Sequence, residues 1–197
     1  MHNCYKSFSN YEIKIFVLKN VSKGLKEIHH KQIVHCNFHI ENILFNYTND
    51  WLLIDTCISD IGLYGEVNNT DEAKIYGVIP YVAPEVLKGK PYTQTADIYS
   101  FDIIMYFVIT GKKSFENCAH DLELALNICN GNRPEIPEIS ELKELNWYIN
   151  LIKKCWDSNP NNRPNTENIS TILDSKNSSD ELKKQKITFF LIRKIGN

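Results

Sequence analysis

The sequence predicts a mainly α-helical domain of the α+β class with one small β-hairpin. Apolar residues at helical spacing and helix-start residues indicate five helical segments: 11–30, 96–110, 121–130, 142–156 and 165–173. Two short apolar runs within residues 43–54 predict the hairpin. The chain has 197 residues, 43% of them hydrophobic and 23% charged, which suits one domain with a buried core.

Charge and cysteine content argue against several function classes. The formal net charge of −2 provides no basic surface for nucleic acid or a membrane. The six cysteines form no C-x-x-C pair, and the N-terminus lacks the apolar core of a signal peptide. We therefore expect a cytoplasmic or nuclear protein that is not secreted. The apolar stretch near residues 103–110 is far shorter than the roughly 20 residues of a membrane span, so no transmembrane segment is expected.

The first predicted helix has one buried face. Apolar residues recur at spacings of three and four between residues 11 and 30: Leu18, Val21, Leu25 and Ile28. The hairpin that follows has strands at 43–45 and 51–54, joined by a polar turn at 46–50 whose Asn and Asp residues favour turns.

The predicted helix at 96–110 is the centre of the core. Thr95 is the candidate N-cap, and Gly111 stands where glycine ends a helix. Four apolar residues of this helix are predicted to lie at the middle of the core: Ile98, Phe101, Met105 and Val108.

Four motifs occur in a fixed order along the chain. Residues 35–44 read His-Cys-Asn-Phe-His-Ile-Glu-Asn-Ile-Leu, and Asp60-Ile61-Gly62 follows them. Ala-Pro-Glu ends at Glu85, and Cys155-Trp156-Asp157 leads to Asn162-Arg163-Pro164. In this order they resemble the catalytic loop, the D-F-G motif, the A-P-E motif and the final helices of a protein kinase of the tyrosine-kinase-like or Ser/Thr type.

The resemblance implies the larger, C-terminal lobe of a kinase, with the hairpin at the catalytic cleft. It covers residues 11–174, preceded by a remnant at 1–10 and followed by a polar, then basic and apolar tail at 175–197. Only about ten residues precede the first helix, so the N-terminal lobe, with its glycine-rich loop and strand lysine, is expected to be missing.

The candidate catalytic residues depart from the family pattern at two positions. His35 is kept, but Cys36 replaces the family's arginine and Asn37 replaces the aspartate that accepts the substrate's proton. Asn42 and Asp60 match the family's cofactor-binding residues and are the expected ligands of any magnesium ion. ATP and magnesium are therefore implied by the resemblance, with weak or no binding if the N-terminal lobe is missing.

Three further residues are expected to act structurally. Glu85 and Arg163 match the buried ion pair of the family. Asp97 matches the aspartate that holds the catalytic-loop backbone, and we expect main-chain donors to satisfy it because an unpaired buried charge is costly. Asp102 stands where the family usually carries glycine, so we expect it at a wetter edge of the helix or as a weak point of the fold.

Regulation by phosphorylation is also expected to be weak. The family commonly has Gly-Thr before the Ala-Pro-Glu block, whereas this chain has Gly77-Val78 without the hydroxyl. An activation-loop phosphate acts by pairing with arginine, and the catalytic-loop arginine is here Cys36. Both ends of that contact are weakened.

By resemblance the activity would be ATP-dependent phosphorylation of protein Ser, Thr or Tyr residues in signal transduction. We expect this chain to be inactive, because Asn37 cannot take up a proton at neutral pH and the losses in a concerted site compound. It would then be a pseudokinase fragment that acts as a binding or scaffold module. The alternatives are an active kinase whose N-lobe an incomplete gene model omits, and a truncated product without function.

A zinc site is a second interpretation of the catalytic-loop histidines. His35 and His39 are four residues apart, and Cys36 or His30 could supply a third ligand. Structural histidines are favoured, because the segment is not predicted to be helical and no matching Cys or His cluster follows it.

The expected partner is another protein or a second copy of the chain. If the small lobe is missing, apolar residues at the cleft are left uncovered: Leu44, Leu53 and Ile61. Exposed apolar patches mark interaction sites or aggregation liabilities.

Overall fold

In this computed structural model of the protein, the described residues are 11–47, 54–61, 77–136 and 146–176. They form six α-helices and one two-stranded sheet. The elements in chain order are α1 Tyr11–His30, β1 Ile43–Tyr47, β2 Ile54–Ile58, α2 Pro84–Leu87, α3 Gln94–Thr110, α4 Leu122–Cys129, α5 Asn146–Cys155 and α6 Thr166–Ser175. Short 3-10 turns lie at Ile40–Asn42, Ile79–Tyr81 and Pro160–Asn162.

The central helix is α3, which packs against α1, α5 and the 79–81 turn. Its residues Ile98, Phe101 and Met105 are buried, as predicted, while Val108 is only partly buried at the edge of the core. The predicted face of α1 is buried against this core. On the polar side of α1, Lys19 and Lys26 form ion pairs with carboxylates of α6. The mainly helical fold is therefore organised around α3.

The hairpin is antiparallel, with Ile43 opposite Ile58 and Leu44 opposite Cys57. Ile43 and Ile58 are buried, and β2 contacts α1, where a Cβ on Gly24 would lie 3.0 Å from the Ile58 side chain. The predicted second strand at 51–54 ends too early, because the described strand β2 continues to Ile58. Cross-strand pairing with β1 determines this register, and residues 51–53 lie outside the described residues.

The ends of α3 only partly match the prediction. The helix begins at Gln94, so its N-cap is Thr93 and not Thr95. The Thr93 hydroxyl bonds to the Thr95 hydroxyl at 2.8 Å and makes no capping bond to the backbone. Gly111 ends the helix in the left-handed conformation, with φ 68°, as its position predicted.

The later helices lie where the sequence placed them. Asp121 caps α4 by accepting bonds from Glu123 N and Leu124 N, and Asn165 caps α6 through Asn168 N. Of the predicted segment 142–156, residues 142–145 lie outside the described residues. Among the described residues, no helix is long and apolar enough to cross a membrane.

The prediction that Asp102 lies at a wetter edge of α3 is wrong. It is fully buried on α3, with 0% exposure, and does not lie at a wetter edge. Burial raises its pKa well above the ordinary value, an effect that Arg133 and Arg163 partly oppose. The helix is surrounded by packed elements on all sides at this level, so no face of it reaches water there.

Candidate functional site

The loop between α1 and β1 is held by the carboxylate of Asp97 at the start of α3. Asp97 Oδ2 accepts a hydrogen bond from His35 N at 2.8 Å, and Oδ1 accepts one from Cys36 N at 3.2 Å. Main-chain donors therefore bind the Asp97 carboxylate, as the sequence predicted. Asp97 is 2% exposed, and its hydrogen bonds to the two backbone amides offset the cost of removing the carboxylate from water. The same bonds hold the loop in place.

His29 is a third partner of Asp97, and sequence reasoning missed it. His29 Nε2 lies 2.9 Å from Asp97 Oδ2, and both side chains are buried. The available signal was its position: His29 follows Leu25 by four residues and therefore shares the buried face of α1. Gln94 Nε2 also donates to the His29 carbonyl at 2.7 Å, which ties the end of α1 to the start of α3.

His35 links the loop to the segment after β2. Its Nε2 lies 2.9 Å from the carbonyl oxygen of Ser59, which can only accept, so Nε2 carries the proton. Its Nδ1 then accepts from Asn37 N at 3.4 Å. Both ring nitrogens are thus used in hydrogen bonds, Nε2 to the segment after β2 and Nδ1 within the loop. No lone pair is left for a metal ion, which supports the structural interpretation of this histidine.

Asn37 lies beside the segment that precedes the 79–81 turn. A Cβ placed on Gly77 would be 3.1 Å from Asn37 Oδ1, and Gly77 has φ +104°, so a larger residue would be both strained and crowded there. The Asn37 carbonyl accepts from Asn42 Nδ2 at 2.9 Å. Asn37 is therefore half-buried, with its side chain beside Gly77 and its carbonyl bonded to Asn42.

Asn42 is hydrogen-bonded to Ser59, the residue directly before Asp60. Ser59 N donates to the Asn42 carbonyl at 2.9 Å, and the Ser59 hydroxyl approaches the same oxygen at 3.3 Å. Asn42 is buried and uses its amide nitrogen toward Asn37, which leaves its amide oxygen as a ligand atom. Asp60 is exposed, with φ 57°. An amide oxygen and a carboxylate are the donors that magnesium prefers, so the two residues fit that ion.

Cys36 cannot reproduce the chemistry of an arginine. Burial and the charge of Asp97 raise the pKa of its thiol to about 11, so the group is neutral at physiological pH. Its φ of 66° lies in the left-handed region, one of two such residues in the site together with Asp60. The position therefore offers neither a cation for a phosphate nor a reactive thiolate.

His39 packs against the 79–81 turn beside the candidate site. Its ring centroid lies 6.0 Å from that of Tyr81, and its side chain is buried. Burial lowers the His39 pKa, and the charges of Glu41 and Asp60 partly counter this. Within the described ranges no group of three or more His, Cys, Asp and Glu residues is arranged to hold a metal ion.

The predicted ion pair between Glu85 and Arg163 is present. Arg163 donates from Nη1 and Nη2 to the two carboxylate oxygens of Glu85, both at 2.7 Å. Nη1 also donates to the Thr95 carbonyl at 2.9 Å, and Nε donates to the Asp157 carbonyl at 2.9 Å. The pair joins α2, the start of α3 and the segment before α6.

These contacts define the class of the molecule: the larger, helical lobe of a protein kinase-like fold, with a loop, a hairpin and an ion pair in the family's arrangement. The model of the protein kinase domain matches residues 2–173. The chain belongs to the protein kinase family.

Its relatives are Ser/Thr kinases. It is 29% identical over 154 residues to a probable serine/threonine-protein kinase of Dictyostelium discoideum, an alignment that covers 78% of this chain and 11% of that protein. It is 28% identical over 167 residues to receptor-interacting serine/threonine-protein kinase 1 of Homo sapiens, covering 77% of this chain and 24% of that protein. The chain thus spans a quarter or less of the length of these two relatives.

A solved structure shows the same fold. The chain in the cryo-EM structure of the AtMLKL3 tetramer matches with a TM-score of 0.67 and 27% sequence identity. The match covers 83% of this chain and 28% of that one.

Proposed function

We propose that this chain is a pseudokinase-like lobe that binds or scaffolds other proteins in signal transduction and transfers little or no phosphate itself. The observation that carries the proposal is Asn37. It stands where the family's motif carries the proton-accepting aspartate, and its side-chain oxygen lies beside Gly77. An amide oxygen can accept a hydrogen bond from a hydroxyl but cannot take up its proton at neutral pH, so general-base assistance is lost.

Two further residues of the same site support inactivity. Cys36 is a neutral thiol where the family carries a cation. Val78, which follows Gly77, has no hydroxyl where the family commonly carries threonine, so both ends of the family's regulatory phosphate contact are weakened. Phosphoryl transfer depends on positioning and charge stabilisation, and three losses in one site compound because each removes part of the same arrangement.

The proposed ligands are the ATP and magnesium that the family uses. Asn42, through its amide oxygen, and Asp60, through its carboxylate, would hold a magnesium ion. When bound, that ion neutralises phosphate charge. Weak or no binding of ATP is expected of this lobe alone, because the two oxygen ligands of the ion are present but the lobe does not make the phosphate contacts of the family's N-terminal lobe.

Labelled ATP with magnesium and generic protein substrates tests the proposal. We expect the purified chain to give only background transfer. Asn37→Asp is expected to stay at background, since Cys36 and Val78 remain unchanged. Robust transfer by the natural chain that Asp60→Ala abolishes would overturn the proposal.

The alternatives make different predictions in the same assay. An active kinase that forms part of a longer protein would transfer phosphate when the sequence upstream of Met1 is translated and expressed in frame with this chain. A truncated product without function would show neither transfer nor binding of a protein partner.

We further propose that the chain associates with a second copy of itself across the outer face of the hairpin. Leu44 is 51% exposed and lies opposite the exposed Cys57, and Ile61 is 43% exposed just beyond β2. The AtMLKL3 chain, whose fold is similar, is seen as a tetramer. Burial of such side chains would favour association. Leu53, the third residue predicted for this surface, lies outside the described residues.

Sedimentation of matched variants tests this association. Leu44→Lys should shift the protein toward the monomer, whereas Leu122→Lys should not, because Leu122 is an exposed leucine on a different element, α4. Circular dichroism would verify that both variants fold. A stable monomer at all concentrations, or equal effects of the two substitutions, would refute self-association across the hairpin.

The proposed location is cytoplasmic or nuclear. All five described cysteines are free thiols, as expected for a reducing compartment. Imaging of a tagged chain would test it, and accumulation in a secretory compartment would refute it.

A further inference from the structure

The most unusual group in the fold is the carboxyl of Asp102, at the middle of α3. It is 0% exposed, and neither of its oxygens has a hydrogen-bond partner among the described residues. One turn earlier on the same helix, the hydroxyl of Tyr99 is also buried and also lacks a described hydrogen-bond partner. Two buried polar groups on one face of a helix, both unsatisfied, require an explanation.

The nearest cations do not pair with this carboxyl, because their nitrogens are already used. The guanidinium carbons of Arg133 and Arg163 lie 5.3 and 5.4 Å from the centre of the Tyr99 ring. Arg133 donates to the carbonyls of residues 128, 132 and 156 and to the Ser158 hydroxyl. Arg163 is committed to Glu85 and two carbonyls. Both cations attract Asp102 from a distance, without a hydrogen bond.

The other groups that face Asp102 are neutral or already neutralised. Cys155, on α5, is fully buried, and burial together with Asp102 raises its thiol pKa well above the ordinary value. Burial likewise raises the pKa of the Tyr99 hydroxyl, so both groups stay protonated. Glu85, on α2, is balanced by Arg163, and Lys154 of α5 is exposed. His29 of α1 bonds to Asp97, at the start of α3.

We propose that Asp102 is held as a neutral carboxylic acid in the folded lobe, so that the fold carries a built-in pH response and loses stability as the pH rises. An ionised carboxylate here would be a buried charge with no hydrogen-bond donor, and such groups bind a proton instead.

The direction of this pH dependence follows from the linkage between proton binding and folding. Burial places the pKa of Asp102 above its ordinary value of 3.8, so the folded lobe keeps a proton that the unfolded chain releases. Below the unfolded pKa both states are neutral and the stabilisation is fully present. As the pH rises through the folded pKa it is lost, and within this window the folding equilibrium constant falls about tenfold per pH unit from this group alone.

A loss of stability at Asp102 should also affect the catalytic loop, because Asp102 and Asp97 belong to the same helix, α3. Asp97 anchors the backbone of His35 and Cys36 at the first turn of the same helix. Loosening of α3 at high pH should therefore release the loop amides, which hydrogen exchange can follow.

Urea unfolding of the purified chain from about pH 5 to about pH 8 tests the proposal. We expect Asp102→Asn, which cannot ionise, to be more stable than the natural chain at the upper end and to show a flatter pH dependence. Asp121→Asn is the matched control, because Asp121 is an exposed aspartate and asparagine caps a helix equally well. Parallel pH dependence for the natural chain and Asp102→Asn would overturn the proposal.

A second measurement covers the case in which Asp102→Asn does not fold. Infrared spectroscopy of the natural chain labelled with ¹³C-aspartate reports whether a protonated carboxylic acid persists at neutral pH. Exposed aspartates are ionised under these conditions, so a protonated aspartic acid band supports the proposal. Its absence at neutral pH would show that Asp102 is ionised and would overturn it.

Discussion

Replacing Arg163 with methionine should strongly destabilise the lobe. Arg163 makes two 2.7 Å bonds to the carboxylate of Glu85 and further bonds to the carbonyls of Thr95 and Asp157, and its side chain is fully buried. Methionine keeps most of the side-chain volume but removes every donor. Glu85, itself only 8% exposed, is then left as a buried charge without a partner.

The expected loss is large for one substitution. Removal of one partner of a buried ion pair costs about 3–5 kcal/mol, and the two carbonyls that also lose a donor place Arg163→Met in the upper part of that range. The double variant Glu85→Gln with Arg163→Met should lose less than the single one, because the uncompensated charge is then gone.

Equilibrium urea unfolding at neutral pH measures these differences. The matched control is Lys19→Met, which breaks an ion pair of the same 2.7 Å length between α1 and α6. Asp174 in that pair is 47% exposed, so the control should cost less than about 1 kcal/mol. If Arg163→Met costs no more than Lys19→Met, burial is not what makes the Glu85 pair important.

Two further predictions concern the loop. At neutral pH Cys36 should react with iodoacetamide much more slowly than the exposed Cys57, and its rate should rise only as the pH approaches about 11, because its thiol pKa is raised to that value; equal rates by peptide mapping would contradict this. Asp97→Asn should destabilise the fold by about 1–3 kcal/mol and speed amide exchange at His35, since an amide cannot accept all three bonds that Asp97 accepts; unchanged exchange at that amide would refute the anchoring role.

Local pattern was sufficient for most of the helices. Apolar spacing in α1 and the glycine that ends α3 are short-range signals, and both predicted the structure correctly. The motif resemblance correctly predicted the pairing of Glu85 with Arg163, although 78 residues separate them. Such a pair has no local signature, and only the matching motifs linked the two positions.

The candidate site could be predicted in its residue types but only partly in its contacts. Asp97 was expected to accept main-chain bonds, and it does. Its bond to His29 was not foreseen, because 68 residues separate the two side chains and a histidine on an apolar helix face has no unique partner in sequence. The end of β2 was misplaced because pairing with β1, and not the apolar run itself, determines how far the strand continues.

The sequence by itself determined the family, the order of the helices and the chemical losses at Cys36 and Asn37, since these depend on which residues are present. Only the tertiary structure decided the environment of Asp102. An aspartate in a helix is normally expected to face water, although Ile98 and Met105, four residues before and three after it, place this position on the predicted buried face. Its burial arises because α5 and the segments that carry Arg133 and Arg163 pack around α3 from distant parts of the chain, and that packing excludes water and hydrogen-bond donors together.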